Sequence, residues 1–212
     1  MALATYDDLK TAIADWLQRP DLASRAADLI TLAEADFRRQ LVMPEMETIV
    51  SVSGMNPIPL PADFDSLRAV ASPADVWQTV TPISLAEFYD LPTGGGRPAH
   101  YAVNNAALYL WPQPTATTSL TLAYRAKLPA LSDAVATNWL LTDHPDAYLY
   151  GSLLQAEFYG WNDERLPLIQ AKLQAAIDDI NRAGNRKRYG GQLAMRPPVV
   201  EQAPRSRYAF KW

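Results

Sequence analysis

The stretch from Asp143 to Arg188 constrains the fold of this chain more than any other part of it. In its first half Leu149, Leu153, Ala156 and Gly160 recur at helical spacing along one face, while Tyr150, Leu154, Phe158 and Trp161 follow the same spacing along another. A helix that is apolar nearly all round has to be buried. The second half carries a single apolar stripe, Leu166, Ile169, Leu173, Ala176, Ile177 and Ile180, and leaves Lys172, Gln174, Asp178 and Asp179 for water, so it reads as an outer helix. Thr142 or Asp143 is placed to cap the first arm, with Pro145 in its opening turn, where a missing N–H costs little. Pro167 fits only near the start of the second arm, because deeper in a helix its ring meets a carbonyl of the preceding turn. The result is a helical hairpin with one buried arm, on which the rest of the chain must pack.

Two helices are expected before it. Thr5 and Asp8 form a capping pair, and Leu9, Ile13, Trp16 and Leu17 then recur until Pro20 stops the run. From about Leu22 to Leu41, Leu29, Ile30, Ala33, Phe37 and Leu41 make an apolar face, and Arg25, Asp28, Glu34, Arg38 and Arg39 make a polar one. At Glu47 the period changes to that of strands. Thr48 to Ser53 are β-branched or small, Asn104 and Asn105 suit the turn of a tight hairpin, and Leu120, Leu122 and Tyr124 alternate with Thr121, Ala123 and Arg125. Ser84 is placed to cap a brief helix through Tyr89. The order of helices, strands, helices, without alternation of strand and crossover helix, predicts an α+β protein: a helical bundle of two N-terminal and two C-terminal helices with an inserted small antiparallel β-sheet domain and an extended C-terminal tail. The predicted divisions are N-terminal helices over 1–46, a β-rich insertion over 47–130, the C-terminal helical hairpin over 131–188 and the tail over 189–212.

Charge separates the tail from the rest. Residues 1–181 hold 11 basic and 22 acidic residues, net -11, whereas residues 182–212 hold 8 basic and 1 acidic, net +7. The tail has too few clustered aliphatic residues to fold alone. Yet Tyr208, Phe210 and Trp212 alternate with Arg207, Ala209 and Lys211 at its end, a period that suits an extended strand laid on another surface. An acidic body with a basic, aromatic-ended arm points to a protein partner that is steered by charge and anchored by aromatic area. Candidate partner-binding residues are Arg186, Lys187, Arg188, Arg196, Arg205, Arg207, Tyr208, Phe210, Lys211 and Trp212. Nucleic-acid binding by the same tail is the alternative, since its arginines and lysines can contact phosphates. Against it, a body of net -11 repels a duplex, and cations at a helix C-terminus are favoured by the helix dipole in any case.

Enzyme chemistry finds little to stand on. With no cysteine and two histidines, thiolate sites are excluded and metal sites are poorly supplied. Asp143, His144 and Asp146 lie close in sequence but at the wrong spacing for a shared helical face, and acids at a helix start are favoured by its dipole. His100 has no evident partner. Gly94, Gly95 and Gly96 lead into Arg97 and Pro98 rather than a helix, with no Lys-Ser or Lys-Thr pair, so they read as a turn rather than a phosphate cradle. No nucleophile elbow occurs. No catalytic residue, cofactor or metal is expected. Neither is membrane insertion, since no apolar run approaches the roughly 20 residues of a spanning helix and the first residues lack the features of a signal peptide.

Several short stretches, in their order and spacing, resemble the head-to-tail adaptor, or connector, proteins of short-tailed phages and related prophages. They are Thr5-Tyr6-Asp7-Asp8-Leu9 with Trp16-Leu17, Leu29 to Phe37, Leu60-Pro61-Ala62-Asp63-Phe64, Gly96-Arg97-Pro98 with Tyr101, and Leu108-Tyr109-Leu110 before Pro112 and Pro114. Leu120 to Tyr124, Thr137 to Leu141, Tyr148 to Gly151 and Asp163 to Leu166 complete the set. The resemblance implies a structural, non-enzymatic virion protein, made in the host cytoplasm and located in the neck between capsid and tail. It implies a homo-oligomeric ring below the portal, a dodecamer when assembled and a monomer alone, which joins the portal protein to tail nozzle or fibre proteins. DNA would pass through the channel without specific binding, and the C-terminal tail would dock on the portal.

Overall fold

The computed structural model describes residues 3–72, 78–159 and 164–188. Helix α1 spans Tyr6–Leu17 and opens with a complete capping box, in which the Asp8 amide donates to Thr5 Oγ1 (3.2 Å) and the Thr5 amide donates to Asp8 Oδ2 (3.1 Å). Gln18 then turns the chain in a left-handed conformation, with φ of 50°. The helix expected over 22–41 is two: α2, Pro20–Ala23, and α3, Ala26–Gln40. Pro20 starts a fresh turn, and the amides of Leu22 and Arg25 bond three residues back, so the helical register is lost before Ala26.

After a 3-10 turn at Pro44–Met46 come β1 (Glu47–Gly54), β2 (Ile58–Pro59), β3 (Phe64–Ser72) and β4 (Gln78–Pro82). Helix α4 (Leu85–Asp90) is capped by Ser84, as expected, and is followed by β5 (His100–Asn104), β6 (Ala107–Trp111) and β7 (Thr118–Ala126). The β5–β6 hairpin turns at Asn105, with φ of 53°. These strands make one seven-stranded sheet in the order β1-β7-β3-β4-β5-β6-β2, larger than the small sheet expected. Nor is it wholly antiparallel: β4 and β5 run parallel. The segment between them, with α4 inside it, is the long return that a parallel pair requires, so one strand–helix–strand crossover is present after all.

The sheet has to curl. Its two edge strands, β1 and β2, are consecutive in sequence, and three residues separate Gly54 from Ile58. Asn56 holds this connection by accepting from the Leu110 amide (2.9 Å) and donating to the Leu110 carbonyl (3.3 Å). Inside the curve Leu120, Leu122 and Tyr124 of β7 join Ile58, Val70, Val80, Leu108 and Leu110 in one apolar core.

The helices enclose a second core. After α5 (Trp139–Asp143) comes α6 (Pro145–Gln155), which packs against α1, α3 and α7 (Leu166–Arg188). Its cap differs from expectation: His144 occupies the N-cap position, and Asn138 caps α5 by accepting from the Leu141 amide. Tyr148, Leu153 and Ala156 are fully enclosed, but Phe158 is 82% exposed, contrary to its assignment to a buried face. Tyr150 and Leu154, on the same face within α6, are themselves only partly buried, so this face borders solvent and Phe158, in the 3-10 turn at Ala156–Tyr159, lies at its open end. Gly160 and Trp161 lie outside the described residues. Pro167 falls in the first turn of α7, where it is tolerated. Among the described residues no helix is long and apolar enough to cross a membrane.

Candidate partner-binding site at the end of the last helix

The final turns of α7 lie across the connection between α3 and β1. Asn181, Gly184, Lys187 and Arg188 share one face of the helix by their spacing. Asn181 Oδ1 accepts from the Val42 amide (2.8 Å) and its Nδ2 donates to the Gln40 carbonyl (3.1 Å), so one side chain pairs two backbone groups where α3 ends. At Gly184 the crossing is close enough that an added Cβ would stand 2.7 Å from Met43 Sδ and 2.9 Å from the Val42 carbonyl oxygen. Beyond it Lys187 pairs with Glu45, and Arg188 Nη2 with Glu47 Oε1 at 2.7 Å. Burial pushes the Glu45 carboxyl up, but the Lys187 ammonium and a backbone hydrogen bond hold it, on balance, below its usual range. The same contact raises the Lys187 ammonium. Both ion pairs remain partly open to water, where such pairs contribute little, so Asn181 and Gly184 position the helix and the charges follow.

From the sheet side, Arg125 of β7 completes the junction. Its Nη2 donates to the carbonyls of Arg38 (2.6 Å) and Leu41 (2.9 Å), which satisfies acceptors left over at the end of α3.

The candidate residues are therefore divided. Arg186 projects from α7 into solvent, with no ion pair among the described residues, whereas Lys187 and Arg188 are held by this chain's own carboxylates. Arg196, Arg205, Arg207, Tyr208, Phe210, Lys211 and Trp212 lie outside the described residues. The other sequence features resolve into local structure. Asp143 ends α5, and Asp146 sits in the first turn of α6. Among the described residues no three His, Asp or Glu side chains converge as a metal site. His100 Nδ1 lies 2.8 Å from Thr81 Oγ1, with the ring tilted over Trp111. Gly94 and Gly96 spend a carbonyl and an amide on Gln113, so the glycine run is a paired turn.

One polar site was not legible in the sequence. Glu34, read as a solvated residue of the second helix, is 2% exposed. Its Oε1 accepts from the Leu131 amide (2.8 Å) and from the Tyr148 hydroxyl (3.1 Å), and that hydroxyl in turn accepts from Asn138 Nδ2 (2.6 Å). Every partner except its neighbour Arg38 comes from the far half of the chain. Burial raises the Glu34 carboxyl above its usual range, against the opposing pull of the Leu131 amide, the Tyr148 hydroxyl and Arg38. A carboxyl whose folded pKa is raised binds its proton more tightly in the native state. Its stabilising effect is complete below the unfolded value of 4.5 and is lost as pH rises through the folded value. Glu34→Gln keeps the Oε1 acceptor but does not titrate. The stability difference between wild type and this variant is therefore expected to move against wild type from pH 4.5 toward neutrality, as measured by urea unfolding across that range; a pH-independent difference would refute the raised carboxyl.

A groove of ≈ 630 Å³ opens between α3, the end of α6 with its 3-10 turn, and α7, lined by Leu32, Asp36, Leu154, Glu157, Phe158 and Gln170 among others. Leu168 of α7 is also exposed.

A protein-family model described as SU10 adaptor protein matches residues 4–196, which takes in both cores, the helix–strand junction and the first residues of the tail. A search of curated proteins finds no match.

Proposed function

Because the chain belongs to the SU10 adaptor protein family, a family of structural phage adaptors, we propose that it forms a ring below the portal of a virion and joins the portal to the tail. The family match over residues 4–196 carries this reading. In it, residues 1–46 and 131–188 make the helical bundle of each subunit, residues 47–130 meet nozzle or fibre proteins, and residues 189–212 reach the portal. The chain has no catalytic role here, and the ring, a dodecamer, lets DNA pass without binding it specifically. A closed ring needs one patch on each copy to meet a different patch on the next. Phe158 and Leu168 supply exposed apolar area for such a contact. An acidic body and a basic arm supply long-range steering.

The nucleic-acid reading is weaker than the charge count implies, since Lys187 and Arg188 are already paired with Glu45 and Glu47. One truncation separates the two. A chain ending at Arg188 is expected to keep the far-ultraviolet spectrum and unfolding transition of the body while losing attachment to portal particles in co-sedimentation. Retained attachment, with loss only of a salt-sensitive DNA affinity, would overturn the portal reading.

A further inference from the structure

The outer surface of the β5–β6 hairpin is aromatic. Leu108 and Leu110 of β6 belong to the sheet core, so Tyr109 and Trp111, one residue out of step with them, stand on the opposite face. His100 of β5 is the cross-strand partner of Trp111, with the two rings 5.7 Å apart. Helix α4 lies beside β5 and adds Phe88, whose ring meets Tyr109 at 6.0 Å and 74° and Tyr89 at 5.8 Å and 89°. Tyr89 itself is 70% exposed. Between α4 and β6 a groove of ≈ 200 Å³ opens, lined by Phe88, Tyr89, Pro92, Thr93, Trp111 and Gln113 among others. That is smaller than the about 300–1,000 Å³ of a site that encloses a cofactor-sized ligand. It has room for the side chains of a segment laid across it.

The polar groups of the groove narrow the choice of segment. The Pro92 carbonyl accepts from Trp111 Nε1 (3.0 Å) and the Gly94 carbonyl accepts from the Gln113 amide (3.0 Å), so these two rim acceptors are engaged within the chain. An ordinary peptide pressed into such a rim buries N–H groups with few acceptors to meet them, at a cost for each. Proline carries no N–H, and its preformed extended helix loses little entropy when it docks on aromatic rings. Rings set nearly perpendicular also leave slots between them, rather than the flat platform on which a sugar ring stacks. Charge narrows the choice further. Glu87 and Asp90, three apart on α4, are exposed and have no ion pair among the described residues. The helix dipole favours Glu87 in the first turn but disfavours Asp90 at the last position. Residues 78–124 contain one arginine, Arg97, and no lysine, which leaves the two carboxylates to a cation from elsewhere.

We propose that the groove between α4 and β6 is a docking site for an extended, proline-rich segment of a partner protein, with an arginine or lysine beside the prolines that pairs with Glu87 and Asp90. The assignment of that partner to the tail rests on the function proposed above; the groove itself does not.

The probe is a fluorescein-labelled oligoproline with an arginine at each end, titrated with the full chain and followed by anisotropy, beside a Gly-Ser peptide of the same length with the same arginines. The oligoproline is expected to bind about tenfold or more tightly than the Gly-Ser peptide, and Tyr89→Ala is expected to weaken it about tenfold. Glu87→Gln with Asp90→Asn is expected to weaken it about threefold and to flatten its salt dependence. All three side chains are exposed, so the urea midpoint is expected to stay unchanged while affinity falls. Phe158→Ala, exposed on the helical body, is the control and is expected to bind as wild type does. Equal affinity for the two peptides, a Tyr89→Ala chain that binds the oligoproline as well as wild type, or binding of a maltooligosaccharide in place of either peptide would overturn the proposal. If the oligoproline binds at Tyr89 but nozzle or fibre proteins attach equally well to wild-type and Tyr89→Ala particles, the groove stands and the assignment of its partner to the tail falls.

Discussion

Tyr148→Ala is expected to destabilise the protein by about 3–5 kcal/mol, the range found when a buried aromatic is truncated to alanine. Tyr148 is fully enclosed, and its ring meets the edge of Phe37 at a centroid distance of 5.3 Å, at 78° between planes. The polar end adds to the loss. Its hydroxyl lies between Asn138 and Glu34, so removing it strips a donor from a buried carboxylate and an acceptor from a buried amide. Tyr148→Phe isolates that part and is expected to cost about 1–3 kcal/mol. Urea unfolding at pH 7 measures both, with a lower midpoint at unchanged slope. A loss in Tyr148→Ala no greater than in Tyr148→Phe would show that the ring is not the anchor of the helical core.

The second large effect is expected at Gly184. Replacing an interior helical glycine ordinarily gains about 1 kcal/mol of helix propensity, but the contacts here reverse the sign. Met43 Sδ, the far end of a flexible side chain, can move aside. The Val42 carbonyl cannot do so easily, because the Val42 amide is held by Asn181 from the same helix. Gly184→Leu therefore has to push α7 off the α3–β1 connection, and overpacking of this kind costs about 3 kcal/mol. Faster hydrogen exchange over residues 181–188, with the sheet core unchanged, would locate the damage. A variant as stable as wild type would mean that the helix end is held loosely and that the junction is not a fixed point for the arm.

Some of this was legible residue by residue. Thr5 and Asp8 are three apart, and the capping box they form depends only on the geometry of one helical turn. The alternation of Leu120, Leu122 and Tyr124 likewise states which face of β7 is inside. Asn105 marks the hairpin because a positive φ is a local property. The stripe of α7 and the enclosure of Leu149 and Leu153 follow from periodicity alone.

Where the reading of the sequence went wrong, a distant segment had intervened. Glu34 has the spacing of a solvated residue and is buried because Leu131 and Tyr148, 97 and 114 residues away, supply its hydrogen bonds. Phe158 has the spacing of a core residue and is exposed because no described segment closes over that side of α6, where Tyr150 and Leu154 are also only partly buried. Lys187 and Arg188 resemble a free basic cluster, but Glu45 and Glu47 lie more than 140 positions earlier in the chain.

By itself, then, the sequence determined most of the helices and strands, the inner faces of α1, α7 and β7, and the contrast between an acidic body and a basic arm. Each of these depends on residues within a turn or two of one another, or on composition. Tertiary structure alone decided which carboxylate is buried and which cations are spent. Those outcomes depend on the approach of groups a hundred residues apart, whose partners no local period encodes.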